Sequence, residues 1–371
     1  MLLVPGNYGA PTIRNLQGNA AAPIVLRSAD PARPAEFTGL ILRDATHVTL
    51  SSLLFDYSYS PDDAPNFRPF QVLSSHAITI RNSVFLGDVA RGVSNIDDGF
   101  GTGFGLGVRF SSSIRIQENE VSGFFRGFVI TESQDVLVLG NDIHSIRMDG
   151  MNFAQVAHVL IENNHIHDFA RSAASTDHPD MIQFWTSRTR EPSRDIVIRS
   201  NVFNSGDGLY TQTIFMRNEE VDTGRAGREM FYRDITIADN VIINAHLHGI
   251  SIGQTDGLII RNNTVVRNTT SQGEAHNPRL WTPQIRVVND ARNVEISRNV
   301  VSEIQGYERQ QDWQVHDNLF VQNSFAAQPG FYGKVFVDGA LRNPTRIQSF
   351  FPRPGGPLDG SHIGASLLAR H

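Results

Sequence analysis

The sequence predicts an all-β protein, a solenoid of short strands stacked coil on coil. Three observations carry this. One short pattern returns through most of the chain: apolar, any residue, apolar, two residues, Asn, any residue, apolar. Its apolar positions alternate, as a strand with one buried face requires. Gly and Asn recur between the copies, where the chain must turn.

The copies follow in order. Val48, Leu50, Leu53, Phe55 and Ile78, Ile80, Ser83, Phe85 come first and lack the Asn. Ile114, Ile116, Asn119, Val121 begins the Asn series. Val136, Val138, Asn141, Ile143 and Val159, Ile161, Asn164, Ile166 continue it. Ile196, Ile198, Asn201, Phe203, then Ile235, Ile237, Asn240, Ile242, then Leu258, Ile260, Asn263, Val265 extend it. Val294, Ile296, Asn299, Val301 and Trp313, Val315, Asn318, Phe320 close it. Successive asparagines stand 22, 23, 37, 39, 23, 36 and 19 residues apart. A base unit of about 22 residues therefore carries inserts of about 14 in some copies, the signature of a repeat architecture. The asparagines are expected to occupy left-handed corners and to bond their neighbours one coil away. Repetition also explains a chain of 371 residues, long for a single layered domain.

Composition narrows the function. The net charge of −6 argues against a general nucleic-acid binder, and no apolar run of eighteen residues offers a membrane span. With no cysteine, thiol catalysis and thiolate metal sites are excluded. Of 32 basic residues only Lys334 is lysine, so the remainder are arginine. The N-terminus enters an apolar stretch without a basic leader. The protein is expected to be secreted or periplasmic if a signal has been removed, or virion-associated otherwise.

Each coil has another strand before the Asn unit, and aligning these strands stacks their outward residues ~4.8 Å apart. They are Gly107–Phe110, Gly127–Ile130, Gly150–Phe153, Met181–Phe184, Thr213–Met216, Gly249–Ile252 and Gln284–Val287. Just before them stand Arg126, Asp149, Asp180, Gln212 and His248. Two residues further back stand Arg147, His178, Tyr210 and His246, with Trp281 next. Outward positions hold Arg109, Asn152, Gln183 and Arg286, and Trp185 and Arg217 lie further along. Seven of the thirteen histidines fall between His144 and His248. The inserts 168–195, 218–234 and 267–283 fall beside the same coils, where long loops concentrate binding. Trp185, Tyr210 and Trp281 could stack on sugar rings, and Arg147, Arg217 and Arg286 could pair carboxylates.

The opening Pro5-Gly6-Asn7-Tyr8-Gly9, followed by Ala21-Ala22-Pro23-Ile24-Val25-Leu26, resembles the first coil of β-helical polysaccharide lyases. These include the chondroitinase B and alginate lyase group. The resemblance covers about residues 20–325 and implies a single right-handed parallel β-helix; the chain length gives about eleven coils with long loop inserts over a domain of 1–325, and 326–371 reads as a C-terminal wrapping tail of the same domain. Its implied partner is an acidic, uronate-containing polysaccharide. Asp149-Gly150, Asp177-His178-Pro179-Asp180 and His246-Leu247-His248-Gly249 resemble elements of mannuronan C5-epimerases. Here Pro follows His, whereas that family's element reads Asp-Pro-His. Chondroitinase-B-like lyases use a Lys–Arg pair with calcium. With Lys334 far from these coils, the base moves to histidine and the neutraliser to arginine, while calcium stays possible as a cofactor.

Lyase or epimerase chemistry at C5 is the first expectation. His178 or His248 would be base, Tyr210 acid, and Arg217 or Arg147 neutraliser. Asp180 and Asp149 would orient the histidines or hold calcium, and Asn152, Gln183, Trp185, His246, Trp281 and Arg286 would bind substrate. A polygalacturonase-like inverting hydrolase is an alternative. His248-Gly249 and Gln284-Ile285-Arg286 resemble that family, and Asp149 and Asp180, with Asp207 nearby, are its carboxylates. A tailspike or adhesin that only binds is another: it would be a homotrimer, whereas a lyase would be a monomer. The glycine-dense run 99–107 reads as a loop above the wall. His144, His165 and His167 read as a polar stack with zinc as the rarer alternative, and Asp56 with 61–65 as an acidic loop or calcium ligand.

Overall fold

The computed structural model describes residues 1–273 and 277–369. It divides into two compact units, 1–165 with 170–179 and 166–169 with 180–371. Both units are built from the same element: parallel strands that pair with the equivalent strand of the next coil.

In the first unit a coil has three strands, for example Thr46–Ser51, Leu54–Asp56 and Phe70–Leu73. The first pairs with His76–Arg81, which pairs with Ser112–Gln117. Register aligns Val48 with Ile78, Ile78 with Ile114, Ile114 with Val136 and Val136 with Val159. All five are buried, so the alternation in the sequence marks the inward column. Aromatic rings fill the interior beside it: Phe55 and Phe85 stack with centroids 4.3 Å apart.

The second unit repeats the scheme. Ile196, Ile235, Leu258, Val294 and Trp313 are successive register partners. The segment after Gln322 folds onto this unit. Tyr332, Val335, Phe336, Ala340 and Phe350 join Val241, Ile243, Val266 and Val300 in one buried apolar cluster. The Asn204 side chain donates to Thr345 O at 2.6 Å, and Ser366 donates through both its N–H and its hydroxyl to the Asp239 carboxylate. The only lysine, Lys334, spends its ammonium on the carbonyls of Ala327 and Gln328 in that segment.

The asparagines form ladders within each unit. Asn119 Nδ2 donates to Asn141 Oδ1 at 3.0 Å, and Asn141 to Asn164 at 2.9 Å. Asn201, Asn240, Asn263, Asn299 and Asn318 continue the same pattern at 2.9–3.0 Å. Each ladder oxygen also accepts the backbone N–H of the preceding ladder residue, which satisfies a buried corner. The left-handed residue is not the Asn itself. It is the residue before it: Glu118, Gly140, Asn163, Ser200, Asp239, Asn262, Arg298 and Asp317 all have φ between +53° and +65°. The ladder Asn turns inward to bond, so the strained backbone falls on its outer neighbour.

The glycine-dense run is strand rather than loop. Gly101–Thr102 pairs antiparallel with Asp88–Val89, and Phe104–Arg109 pairs with the strand beginning at Arg126. The glycines allow close backbone approach: a Cβ on Gly101 would stand 2.5 Å from Phe124 O, and one on Gly105 2.9 Å from Gly127 O. No helix among the described residues is long and apolar enough to cross a membrane.

Candidate functional site

The wall residues fall in both units. In the first unit Arg147, Asp149 and Asn152 are buried, at 4%, 0% and 0% exposure. Arg147 Nη1 lies 2.8 Å from Asp97, and its Nε and Nη2 donate to Asp177 Oδ2 at 3.2 and 3.1 Å. The guanidinium is therefore spent on fastening the loops that carry those two aspartates. This replaces its expected role as a carboxylate neutraliser. Asp149 is the register partner of Arg126, with Arg126 Nε 3.0 Å from Asp149 Oδ2. Asn152 Nδ2 donates to the same oxygen at 2.9 Å. Asp149 and Asn152 are fully buried and bonded within the protein. His178 lies in the exposed segment just before the end of this unit.

Carboxylates near Asp56 are also committed to the protein. Asp63 Oδ2 accepts Tyr57 OH at 2.9 Å and Ser60 N–H at 3.1 Å, and Asp88 pairs with Arg91. Burial, and then Asp88, raises the Asp56 carboxyl above the usual carboxylate range. These residues fit a hydrogen-bonded loop and not a calcium cage. On another face His144 Nδ1 is 3.1 Å from Ser145 Oγ, and His165 is 3.4 Å from Asp142.

In the second unit the strands Asp180–Phe184, Gln212–Met216, His248–Ile252, Gln284–Val287 and Ile304–Gln305 lie side by side. Ile182, Ile214, Ile250, Ile285 and Ile304 form the inward column. The adjacent outward column reads Gln183, Phe215, Ser251, Arg286, Gln305. Strand period two fixes this pairing, so every residue of that column faces away from the core. Between His248 and Ile250 the register shifts, because Gly249 is an extra residue against the facing strand. The bulge has room for nothing larger: a Cβ on Gly249 would stand 2.8 Å from Val265 Cγ1 and 2.9 Å from Gln284 O.

A groove of about 490 Å³ opens over this column. His248, Ser251, Arg286, Gln305 and Phe215 line it, with Arg217, Asp222 and Asn289 at its sides. His248 Nδ1 lies 2.6 Å from Ser251 Oγ, and its ring packs edge-on against Phe215 at 5.1 Å. The His246 ring stacks on His248 at 5.2 Å, and His246 Nδ1 accepts the His248 backbone N–H at 3.1 Å. Burial, and then the Arg286 charge, push the His248 imidazole down to about 4. It is neutral at pH 7 with a cation beside it. Arg286 Nε donates to Gln305 Oε1 at 3.0 Å, which fixes its fork. Arg217 is exposed at the rim and pairs with Asp222 at 3.1 Å.

The other expected residues do not line the groove. Asp180 is buried and accepts Gln183 Nε2 at 3.0 Å. Tyr210 sits in a left-handed conformation, φ 57°, and its N–H donates to Gln272 O at 2.6 Å. Gly273, next in the chain, is wedged against Ala245, Trp281 and His246: a Cβ there would stand 2.4 Å from Ala245 O and 3.0 Å from Trp281 Cδ1. Trp281 is half-buried, as are Trp185 and Tyr210. Asp207 is exposed in the turn before Tyr210. The sequence reading missed Ser251, Phe215 and Gln305 as site residues. Their outward parity was readable, and Ser251 also stands three residues after His248, as Gln183 stands three after Asp180.

A family model described as right handed beta helix region matches residues 70–225. No curated protein sequence matched the chain. Solved structures similar to it include the following three. The periplasmic alginate epimerase AlgG is 12% identical, with 86% of this chain and 79% of that one covered at a TM-score of 0.55. The Dettilon tailspike protein is 12% identical, with 89% of this chain but only 61% of that chain covered, at 0.55. PfbA, a surface adhesin of Streptococcus pneumoniae, is 12% identical, with 88% and 86% covered at 0.52. With register-matched parallel coils in both units and these likenesses, the chain is a protein of the right-handed parallel β-helix fold.

Proposed function

We propose that the protein acts on an acidic, uronate-containing polysaccharide by removing the proton at C5, as a lyase or an epimerase. The observation that carries this is His248. A neutral imidazole, held through Nδ1 by Ser251 and standing beside Arg286, is the pairing such chemistry needs. The cation neutralises the uronate carboxylate and acidifies the C5 proton, and the base takes it. In this reading Nδ1–H donates to Ser251 and the Nε2 lone pair is the base. Phe215 supplies an apolar face for a sugar ring, and Arg217 offers a second cation at the rim. The periplasmic alginate epimerase of the same fold acts, by its name, on such a polymer. A lyase or epimerase here needs no lysine.

Hydrolysis fits less well. An inverting glycosidase needs two carboxylates facing the bond, and Asp149 is fully buried against Arg126 and Asn152. Binding without chemistry is favoured by one observation, the likeness to a tailspike and an adhesin. A panel of alginate, pectate and glycosaminoglycans, followed in the ultraviolet and by NMR, tests the proposal. A new absorbance marks the unsaturated product of a lyase, and inverted C5 signals mark an epimerase. Tight binding to a polymer that shows neither change would select the binding reading.

A further inference from the structure

The first unit holds a second feature that the His248 chemistry does not use. Arginine and phenylalanine alternate through it, from the exposed Arg68 at one end to the buried Arg147 at the other. The Arg68 guanidinium lies 5.2 Å from the Phe104 ring centroid, and Arg126 lies 5.6 Å from the same ring. Arg126 is also 5.8 Å from Phe125, and Arg147 is 5.2 Å from Phe125. The order is Arg68, Phe104, Arg126, Phe125, Arg147.

Compensation differs along this ladder. Arg147 has Asp97 and Asp177, and Arg126 has the buried Asp149. Neighbouring Arg109 has Glu132. Among the described residues no carboxylate stands within ion-pair distance of Arg68. The backbone nevertheless fixes its place. Phe67 O accepts the Phe104 N–H at 2.8 Å, and Arg68 O accepts Gln71 Nε2 at 3.0 Å. Burial, and then the like charges of Arg109 and Arg126, hold Arg68 below the usual arginine range. A cation kept among cations, on an aromatic face, is stabilised by an arriving anion.

We propose that the open end of this ladder, Arg68 over Phe104 with Arg126 beside it, binds an oxyanion group of an acidic glycan, a carboxylate or a sulfate ester. The planar fork of the exposed Arg68 suits two oxygens of either group, and the buried Phe104 ring backs the guanidinium. This shares the ligand class of the proposed function but none of its catalytic residues.

Calorimetric titration of the full chain tests it, with alginate oligosaccharides, dextran sulfate and neutral dextran as probes. Arg68→Ala should weaken binding of a charged probe by about tenfold, with Arg68→Glu weaker still and Arg68→Lys in between. Arg14→Ala, an exposed arginine outside the ladder, should bind like the wild type. Dependence on Arg68 with alginate alone assigns a carboxylate, and with dextran sulfate alone a sulfate ester. Unchanged affinity of Arg68→Ala and Arg68→Glu for both charged probes would overturn the proposal. So would neutral dextran binding as tightly as the charged probes. The readout is binding, so failure to find C5 chemistry leaves this site standing.

Discussion

His248 Nδ1 and Ser251 Oγ stand 2.6 Å apart, three residues along one strand. In the proposed reaction Nδ1–H donates to Ser251 and Nε2 is without its proton, while Arg286 one coil away discourages protonation. Ser251→Ala is expected to lower kcat/KM by about 10–100-fold with little change in KM, since the imidazole keeps its place but loses its orienting partner. Steady-state kinetics on the active polymer check this. A change confined to KM would assign Ser251 to substrate binding instead.

The acid limb of the pH–rate profile follows from the same geometry. An ordinary histidine base is lost below its pKa of ~6.5. His248, pushed down to about 4, stays neutral and active to far lower pH. The acid limb of kcat/KM should therefore fall near pH 4. An inflection near 6.5 would mean that His248 is not the base, or is not buried in solution.

Stability should carry the opposite signature of the same group. The unfolded chain protonates His248 near 6.5 and the folded chain only near 4. Between these values the unfolded state binds the extra proton, so stability falls as pH drops from about 6.5 to about 4. The size is at most ~3 kcal/mol. His248→Gln should flatten that part of a urea-denaturation pH series, and an unchanged slope would assign the loss to other groups.

Arg147 joins Asp97 and Asp177 while itself buried. Arg147→Ala should cost about 3 kcal/mol, because it strands two carboxylates and leaves a gap in the first unit. Urea denaturation measures this. Loss of activity without loss of stability would return Arg147 to the chemistry.

Gly273 fits between Ala245 O and Trp281 Cδ1 with no room for a methyl group. Gly273→Ala should displace Trp281 and the Gln272 carbonyl that holds Tyr210. Tryptophan fluorescence should shift, and activity should fall by about tenfold or more while the coils remain folded. Phe336→Ala, in the fully buried tail cluster, should instead cost about 3–5 kcal/mol. An unshifted emission spectrum, or a Phe336→Ala variant as stable as the wild type, would count against these packing assignments.

Much of the fold was readable, because strand period two and the Asn spacing are local and repeat. Register aligned the outward column that holds Gln183 and Arg286 just as the alternation required. Four things were not readable. The left-handed corner fell one residue before each Asn, since the side chain rather than the backbone of Asn serves the ladder. Arg147 looked like a ligand because its partners, Asp97 and Asp177, lie 50 and 30 residues away in loops that no repeat describes. The glycines at 101 and 105 looked like a loop because close backbone packing leaves no trace in hydrophobic periodicity. Ser251 was hidden by its ordinariness: a serine on a strand gains meaning only from the histidine it faces.

In the proposed reaction His248 removes the C5 proton. A polyuronate tritiated at C5 tests this directly, because both elimination and epimerisation release that label to water. Wild-type protein should release tritium, and His248→Ala should do so about 10²–10⁴-fold more slowly. Release by His248→Ala at the wild-type rate, or new reducing ends with no tritium released, would contradict the account.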